Sequence, residues 1–125
     1  EPVDLAAALR SLRDAVPAPA IHVDADGIGV ADPEVARTAL RAVQEIVTNS
    51  VRHSGARNLW LTLRERDRAL AIDARDDGAG TDQVQFGNGL RGMRERVQQA
   101  GGTMDVASMR GRGFEVHIVL PGATS

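Results

Sequence analysis

A chain of 125 residues, 42% hydrophobic and 26% charged, is sized for one domain with one core. Its net charge of −2 argues against a general nucleic-acid binder, which needs a basic surface to release counterions. The absence of cysteine excludes disulfides and thiolate metal sites, and only 2% aromatic residues leaves the core to Leu, Val, Ile, Ala and Met.

Leu5, Ala8, Leu9, Leu12 and Val16 share a helical face, with Asp4 placed to cap it and Pro17-Ala18-Pro19 to end it. Residues 20–30 read as a short strand, a turn at Asp26-Gly27 and a second short strand. Asp32-Pro33 sets an N-cap with proline at the first helical position. A long helix is predicted from there to about Ser54, burying Val35, Ala39, Ala42, Val43, Ile46, Val47 and Ser50, with Gly55 as its stop. Residues 58–65 and 69–76 alternate apolar with polar, and Asp67-Arg68 between them predicts a hairpin. Residues 77–89 are glycine-rich and lack a period, so they read as a loop. Leu90, Met93 and Val97 mark a third helix that stops at Gly101-Gly102. Strands are predicted at 103–108 and 114–121, joined by a turn. The strands cluster in antiparallel pairs, which makes the fold class α+β, with helices on one face of a mixed sheet. Arg64, Arg66 and Arg68 read as an exposed strand edge and turn, and His22 and His117 as lone histidines in strands.

No apolar run approaches the length of a membrane span, so no direct membrane contact is expected. The opening Glu1-Pro2-Val3-Asp4 has neither an initiator Met nor a signal peptide, and the chain reads as a fragment of something longer.

Within the long helix, Glu45, Asn49 and His53 follow one another at four-residue spacing and form one polar stripe. A plain reading is a solvated helix edge. Asn disfavours a helix interior, however, and here it neighbours apolar Ile46 and Val47. An Asn amide oxygen suits Mg²⁺, which takes oxygen ligands and brings phosphates with it. A Glu one turn earlier can orient or deprotonate an attacking group.

Asp76-Asp77-Gly78-Ala79-Gly80 ends a predicted strand and is either an ordinary Asp-Gly turn or a base-binding turn. In the second case Asp76 accepts from an exocyclic amine while Gly78 and Gly80 let a flat base lie against the backbone. A calcium loop fails because an oxygen ligand would have to be Arg75 and the closing Glu would fall on Val84. Gly87, Gly89 and Gly92 match a dinucleotide fingerprint by spacing, but no strand precedes them directly. Glycines at a helix N-terminus still leave N–H groups free for an anion, with Arg91 and Arg94 to add charge or simply to face solvent. Gly111-x-Gly113 joins two strands as a turn. No nucleophile elbow and no paired histidines for a metal are present.

Taken in order, Glu45-x-x-x-Asn49-x-x-x-His53, Asp76-x-Gly78-x-Gly80, Gly87-x-Gly89-Leu90 and Gly111-x-Gly113 resemble the N box and the three glycine boxes of the Bergerat-fold ATPases. That superfamily includes sensor histidine kinases, Hsp90 chaperones, type II topoisomerases and MutL. Residues 45–56 together with 87–102 are similar to the catalytic domains of NarX/DesK-like histidine kinases, which signal to NarL/LuxR-type response regulators. The resemblance implies a two-layer sandwich of about three helices on one face of a mixed, mostly antiparallel sheet. It implies Asn49 as the Mg²⁺ ligand, Glu45 as the activating carboxylate and Asp76 on the adenine amine, with Gly78 and Gly80 beside the ring. Residues 81–88 would be a short ATP lid, hinged by Gly87, Gly89 and Leu90 next to the phosphates. Arg52, His53, Arg91 and Gly113 complete the implied ATP-binding set. Phe114 departs from the pattern, which often has a small hydroxyl residue after the last glycine.

The implied activity is a two-component one: the domain binds Mg-ATP and supplies the γ-phosphate to a histidine on a separate dimerising hairpin. No segment here is long enough to be that hairpin, so the phosphoacceptor and sensor are expected upstream, in a membrane-bound bacterial sensor whose kinase domain is cytoplasmic. Two alternatives stand beside this reading. One is a stand-alone anti-sigma-factor serine kinase of the same fold, and the other is a non-catalytic module with a degenerate nucleotide pocket.

Overall fold

A computed structural model describes residues 3–28, 30–51, 55–79, 88–108, 111 and 113–122. In chain order the elements are β1 (Val3–Asp4), α1 (Leu5–Ala15), β2 (Ala20–Asp24), β3 (Val30–Ala31), α2 (Pro33–Asn49), β4 (Asn58–Arg66), β5 (Ala69–Asp76), α3 (Asn88–Gln99), β6 (Thr103–Ser108) and β7 (Phe114–Leu120). β1 and β3 pair as a small antiparallel ribbon, and the remaining strands form one sheet in the order β2-β4-β5-β7-β6. β2 runs parallel to β4, and the other three pairings are antiparallel. The architecture is therefore the expected α+β sandwich, three helices on a mixed and mostly antiparallel sheet.

The two-residue alternation of a strand decides which side chains face the helices. Leu59, Leu61 and Leu63 of β4, Leu70, Ile72 and Ala74 of β5, and Val116, Ile118 and Leu120 of β7 are all buried. Leu5 and Leu9 of α1, Ala39, Val43 and Ile46 of α2, and Leu90, Met93 and Val97 of α3 close over them in one core. The core is aliphatic, as the composition required. In α2 the buried stripe includes Ala36, while Val35 is only half-buried, because the stripe starts one position later than its apolar residues suggest.

Local signals set the helix starts. Asp4 caps α1 by accepting from the Ala7 amide, and Asp32 caps α2 by accepting from Glu34 and Val35. The β4–β5 hairpin turns through Asp67 (φ 51°) and Arg68 (φ 65°), the left-handed pair that a two-residue turn needs. α2 is regular to Asn49, where the Ser50 amide bonds to Ile46 and Val47 and the backbone widens through Ser50 and Val51. The rest of the predicted helix, 52–54, lies outside the described residues.

The opposite face of the sheet is polar and partnered. Arg64 lies on it, beyond the β2–β4 pairing that ends at Asp24 and Thr62, exposed as expected, and pairs with Asp24 at 2.9 Å. His22 and His117 are not lone: His22 stacks on Trp60 and bonds Asn58, and His117 bonds Asp73.

Candidate functional site

Asp76 occupies the next core-facing position after Leu70, Ile72 and Ala74, where alternation puts a side chain inward. It is only 4% exposed. A carboxylate there needs partners or a ligand. Its Oδ1 accepts from the Gly78 amide at 2.9 Å, which folds the strand end into a tight turn. Among the described residues it forms no ion pair.

Gly113 explains how β7 reaches this point. It has φ +82°, and a Cβ placed on it would stand 2.0 Å from the Asp76 carbonyl oxygen. The Gly111 amide donates to the Ala79 carbonyl at 2.6 Å, so the last glycine turn is laced to the turn after β5. Phe114 then begins β7 half-buried, packed against the core. It extends the apolar wall beside Asp76 rather than supplying a hydroxyl.

Glu45 and Asn49 lie one turn apart near the end of α2, both half-buried. Glu45 reaches across to the first turn of α3: a Cβ on Gly89 would stand 2.2 Å from its Oε1 and 2.8 Å from its Oε2. The polar stripe of α2 therefore meets the glycine-rich entry to α3, far away in sequence. Asn49 Nδ2 is buried without a hydrogen-bond partner, alone in this among the described residues.

Gly89, expected at the end of the loop, proves to be helical, in the first turn of α3 beside Leu90, which is helical as expected. The Leu90 side chain is in the core, so only its backbone is available to a ligand. Arg91 is exposed on the same turn. Gly78 is buried in the turn after β5. Arg52, His53, Gly80, Gly87 and the predicted lid 81–87 lie outside the described residues, and Asn88, the last predicted lid residue, is the first residue of α3. An apolar groove between α1 and α2, lined by Leu12, Val16, Val47 and Val51 among others, is lined by none of the predicted site residues.

A family model described as histidine kinase-, DNA gyrase B- and HSP90-like ATPase matches residues 34–124. The chain belongs to this ATPase family. The match takes in every predicted site residue, and nucleotide use follows from the family. Among curated relatives of this ATPase domain, the sensor histidine kinase YxjM of Bacillus subtilis is 32% identical over 105 residues, covering 81% of this chain and 26% of that protein. The histidine-protein kinase/phosphatase UhpB of Salmonella typhimurium is 37% identical over 86 residues, covering 67% of this chain and 17% of that protein. The chain thus spans about a quarter or less of the length of these relatives. The histidine kinase domain of a blue-light activated kinase from Erythrobacter litoralis superposes with a TM-score of 0.78 at 26% identity, covering 94% of this chain and 60% of that one. Full-length ShkA in complex with AMPPNP shares the fold, with a TM-score of 0.79 at 22% identity over all of this chain and 31% of that one.

Residues 77 and 58 were not singled out by sequence. Asp77 accepts from the amides of Arg57 and Asn58 at 2.8 and 2.9 Å and from the Asn58 side chain at 2.9 Å. Those bonds, the Asn58 side chain first, hold its carboxyl below the ordinary aspartate range. The only sequence signal is the doubled aspartate before Gly78, and it does not reveal a partner on the other strand of the hairpin.

Proposed function

We propose that this domain binds Mg-ATP and delivers the γ-phosphate to a histidine on a separate dimerising helical hairpin, as the catalytic part of a two-component sensor kinase. The observation that carries this reading is Asp76: a carboxylate 4% exposed at a core-facing strand end, without an ion pair among the described residues. A buried carboxylate calls for hydrogen-bond donors, and a ligand can supply one. The exocyclic amine of adenine is that donor, with Gly78 and Gly80 against the ring and Gly113 clearing the approach.

Asn49 and Glu45 address the phosphate end. The side-chain oxygens of Asn49 and Glu45 suit a hard cation shared with phosphate oxygens, and the buried, unpaired Asn49 Nδ2 calls for an acceptor such as a phosphate oxygen. The described residues contain no group of three acidic, histidine or cysteine side chains that would cage a metal without the nucleotide. When bound, Mg²⁺ would neutralise charge on the β- and γ-phosphates. In this reading Glu45, which rests on Gly89, orients the attacking imidazole and accepts its proton. A nitrogen–phosphorus bond then forms as the bond from the γ-phosphorus to the β,γ-bridging oxygen breaks and ADP leaves. In this reading the phosphates meet the amides opening α3, at Gly89 and Leu90, with Arg91 on the same turn, and the resemblance adds Arg52, His53 and Gly87 to that set.

The accepting histidine lies outside these 125 residues in this reading. His22 and His117 are both on the sheet face away from the helices and engaged with Asn58 and Asp73. The resemblance of residues 45–56 and 87–102 to NarX/DesK-like kinases supports a NarL/LuxR-type regulator as the downstream partner, and a cytoplasmic location under a membrane-bound sensor. Among the described residues no helix is long and apolar enough to cross a membrane.

Calorimetric titration with ATP, with and without Mg²⁺, tests the reading. Losing one buried hydrogen bond costs ~1–3 kcal/mol, so Asp76→Ala should weaken ATP binding by at least about fivefold. Asn49→Ala should remove most of the Mg²⁺ dependence. Wild-type protein that binds no ATP at millimolar concentration would overturn it and favour a degenerate pocket.

A further inference from the structure

We propose that Asp77 is a positioning residue for base selection: it locks the turn after β5 to the start of β4, so that Asp76 presents its carboxylate to the amine of the base. This rests on the reading of Asp76 above and deepens it. Asp77 is exposed, and its neighbour already ends a strand, so a solvated turn residue would be the ordinary expectation. Its bonding is not that of a solvated residue. Oδ1 accepts from two successive amides, Arg57 and Asn58, Oδ2 accepts from Asn58 Nδ2, and the Asp77 amide donates to the Asn58 carbonyl at 3.2 Å. Four hydrogen bonds thus join one residue to Asn58, which opens β4, and to Arg57 just before it.

The register shows what this fixes. Leu59 pairs with Asp76 as the last pair of the β4–β5 ladder. Ladder ends fray unless something beyond them is tied, and Asp77 is the tie, one residue past Asp76. The clamp is itself oriented: Asn58 gives its amide nitrogen to Asp77 and its oxygen to His22 Nε2 at 2.9 Å, which makes Nε2 the donor. His22 is in turn held by stacking on Trp60, ring centroids 5.7 Å apart. Asp76 turns inward to Gly78 while Asp77 turns back to β4, so the doubled aspartate divides two tasks between adjacent residues. The Asn58 side-chain bond first, then the backbone amides, hold the Asp77 carboxyl below the ordinary aspartate range.

A merely stabilising clamp and a base-positioning clamp differ in selectivity. Purine riboside triphosphate carries a hydrogen where ATP carries the amine, and the two bases are otherwise the same, N1 included. Affinities for both, with Mg²⁺, are measured for wild type, Asp77→Ala, Asp76→Ala and the exchange variant that combines Asn58→Asp with Asp77→Asn. The exchange keeps every bond. The side-chain amide then at position 77 would accept from both backbone amides and donate to the carboxylate then at position 58, whose other oxygen accepts from His22. Asp77→Ala is expected to weaken ATP roughly fivefold and purine riboside triphosphate by less than about twofold, and the exchange variant to restore the ratio. An equal loss for both nucleotides, or unchanged ATP affinity in Asp77→Ala while Asp76→Ala weakens it, overturns the proposal alone. Unchanged ATP affinity in Asp76→Ala overturns the base-recognition reading and this inference with it. Melting curves accompany each variant. If Asp77→Ala does not fold, Asn58→Ala, which removes one bond of the clamp, is held to the same selectivity criterion.

Discussion

The carboxylate of Glu45 rests on the bare Cα of Gly89, with Oε1 2.2 Å from where a side chain would begin. Two helices that are distant in sequence are thereby joined at one atom, and the contact sets where Glu45 points. Gly89 is helical, so alanine there suits the backbone and should by propensity alone stabilise α3 by about 0.5–1 kcal/mol. The obstacle is the end of a flexible side chain, which can swing away. Gly89→Ala is therefore expected to keep or raise the melting temperature while lowering phosphoryl transfer, because Glu45 is displaced. A drop in both together would mean that the contact serves stability and not the placement of Glu45.

Gly113 gives the opposite case. Its φ of +82° disfavours any side chain, and the atom in the way is the Asp76 carbonyl oxygen of a paired strand. Neither can yield cheaply. Gly113→Ala should cost about 2–4 kcal/mol, combining left-handed strain with overpacking. Urea denaturation measures it, and a shift in midpoint equivalent to less than about 1 kcal/mol would show that the β5–β7 junction is softer than its geometry implies.

His117 on the open sheet face makes stability depend on pH. Its Nδ1 lies 2.5 Å from Asp73, and that hydrogen bond raises its pKa above the ordinary value, against the opposing effect of burial and with weaker help from Glu115. Asp105 is its cross-strand neighbour on β6. A raised folded-state value means the folded protein holds the proton more tightly. The stabilisation is therefore complete below the ordinary histidine value of about 6.5 and is lost as pH rises through the folded value. His117→Gln should lower the melting temperature near about pH 6 and make little difference near about pH 9. The pair is half exposed, so the effect should stay below about 1 kcal/mol. An equal effect at both pH values would assign it to packing.

The cap of α2 is a purely local prediction. Asp32 Oδ2 accepts from the Glu34 and Val35 amides at 3.1 and 3.4 Å. Asp32→Ala should cost about 1 kcal/mol in thermal or denaturant unfolding. ATP affinity should be unchanged, because the cap is at the far end of the helix from Asn49.

Periodicity, caps and turn chemistry made the helices, the Asp67-Arg68 hairpin and the α+β class legible, because those signals act between residues close together in the chain. The polar stripe of Glu45 and Asn49 and the order of the glycine turns were legible for the same reason. Other features were decided only when the chain closed on itself. β7 sits between β5 and β6, β4 is an interior strand, and Asp76 is a buried core-facing carboxylate as well as the start of the turn. Glu45 meets Gly89, and Asp77 reaches back to Asn58. Each of these depends on strand order or on contacts across a sheet or between helices, where pairing is selected by burial of one common face. A local pattern says which side chains share a face, and only the packing of the faces says which atoms touch.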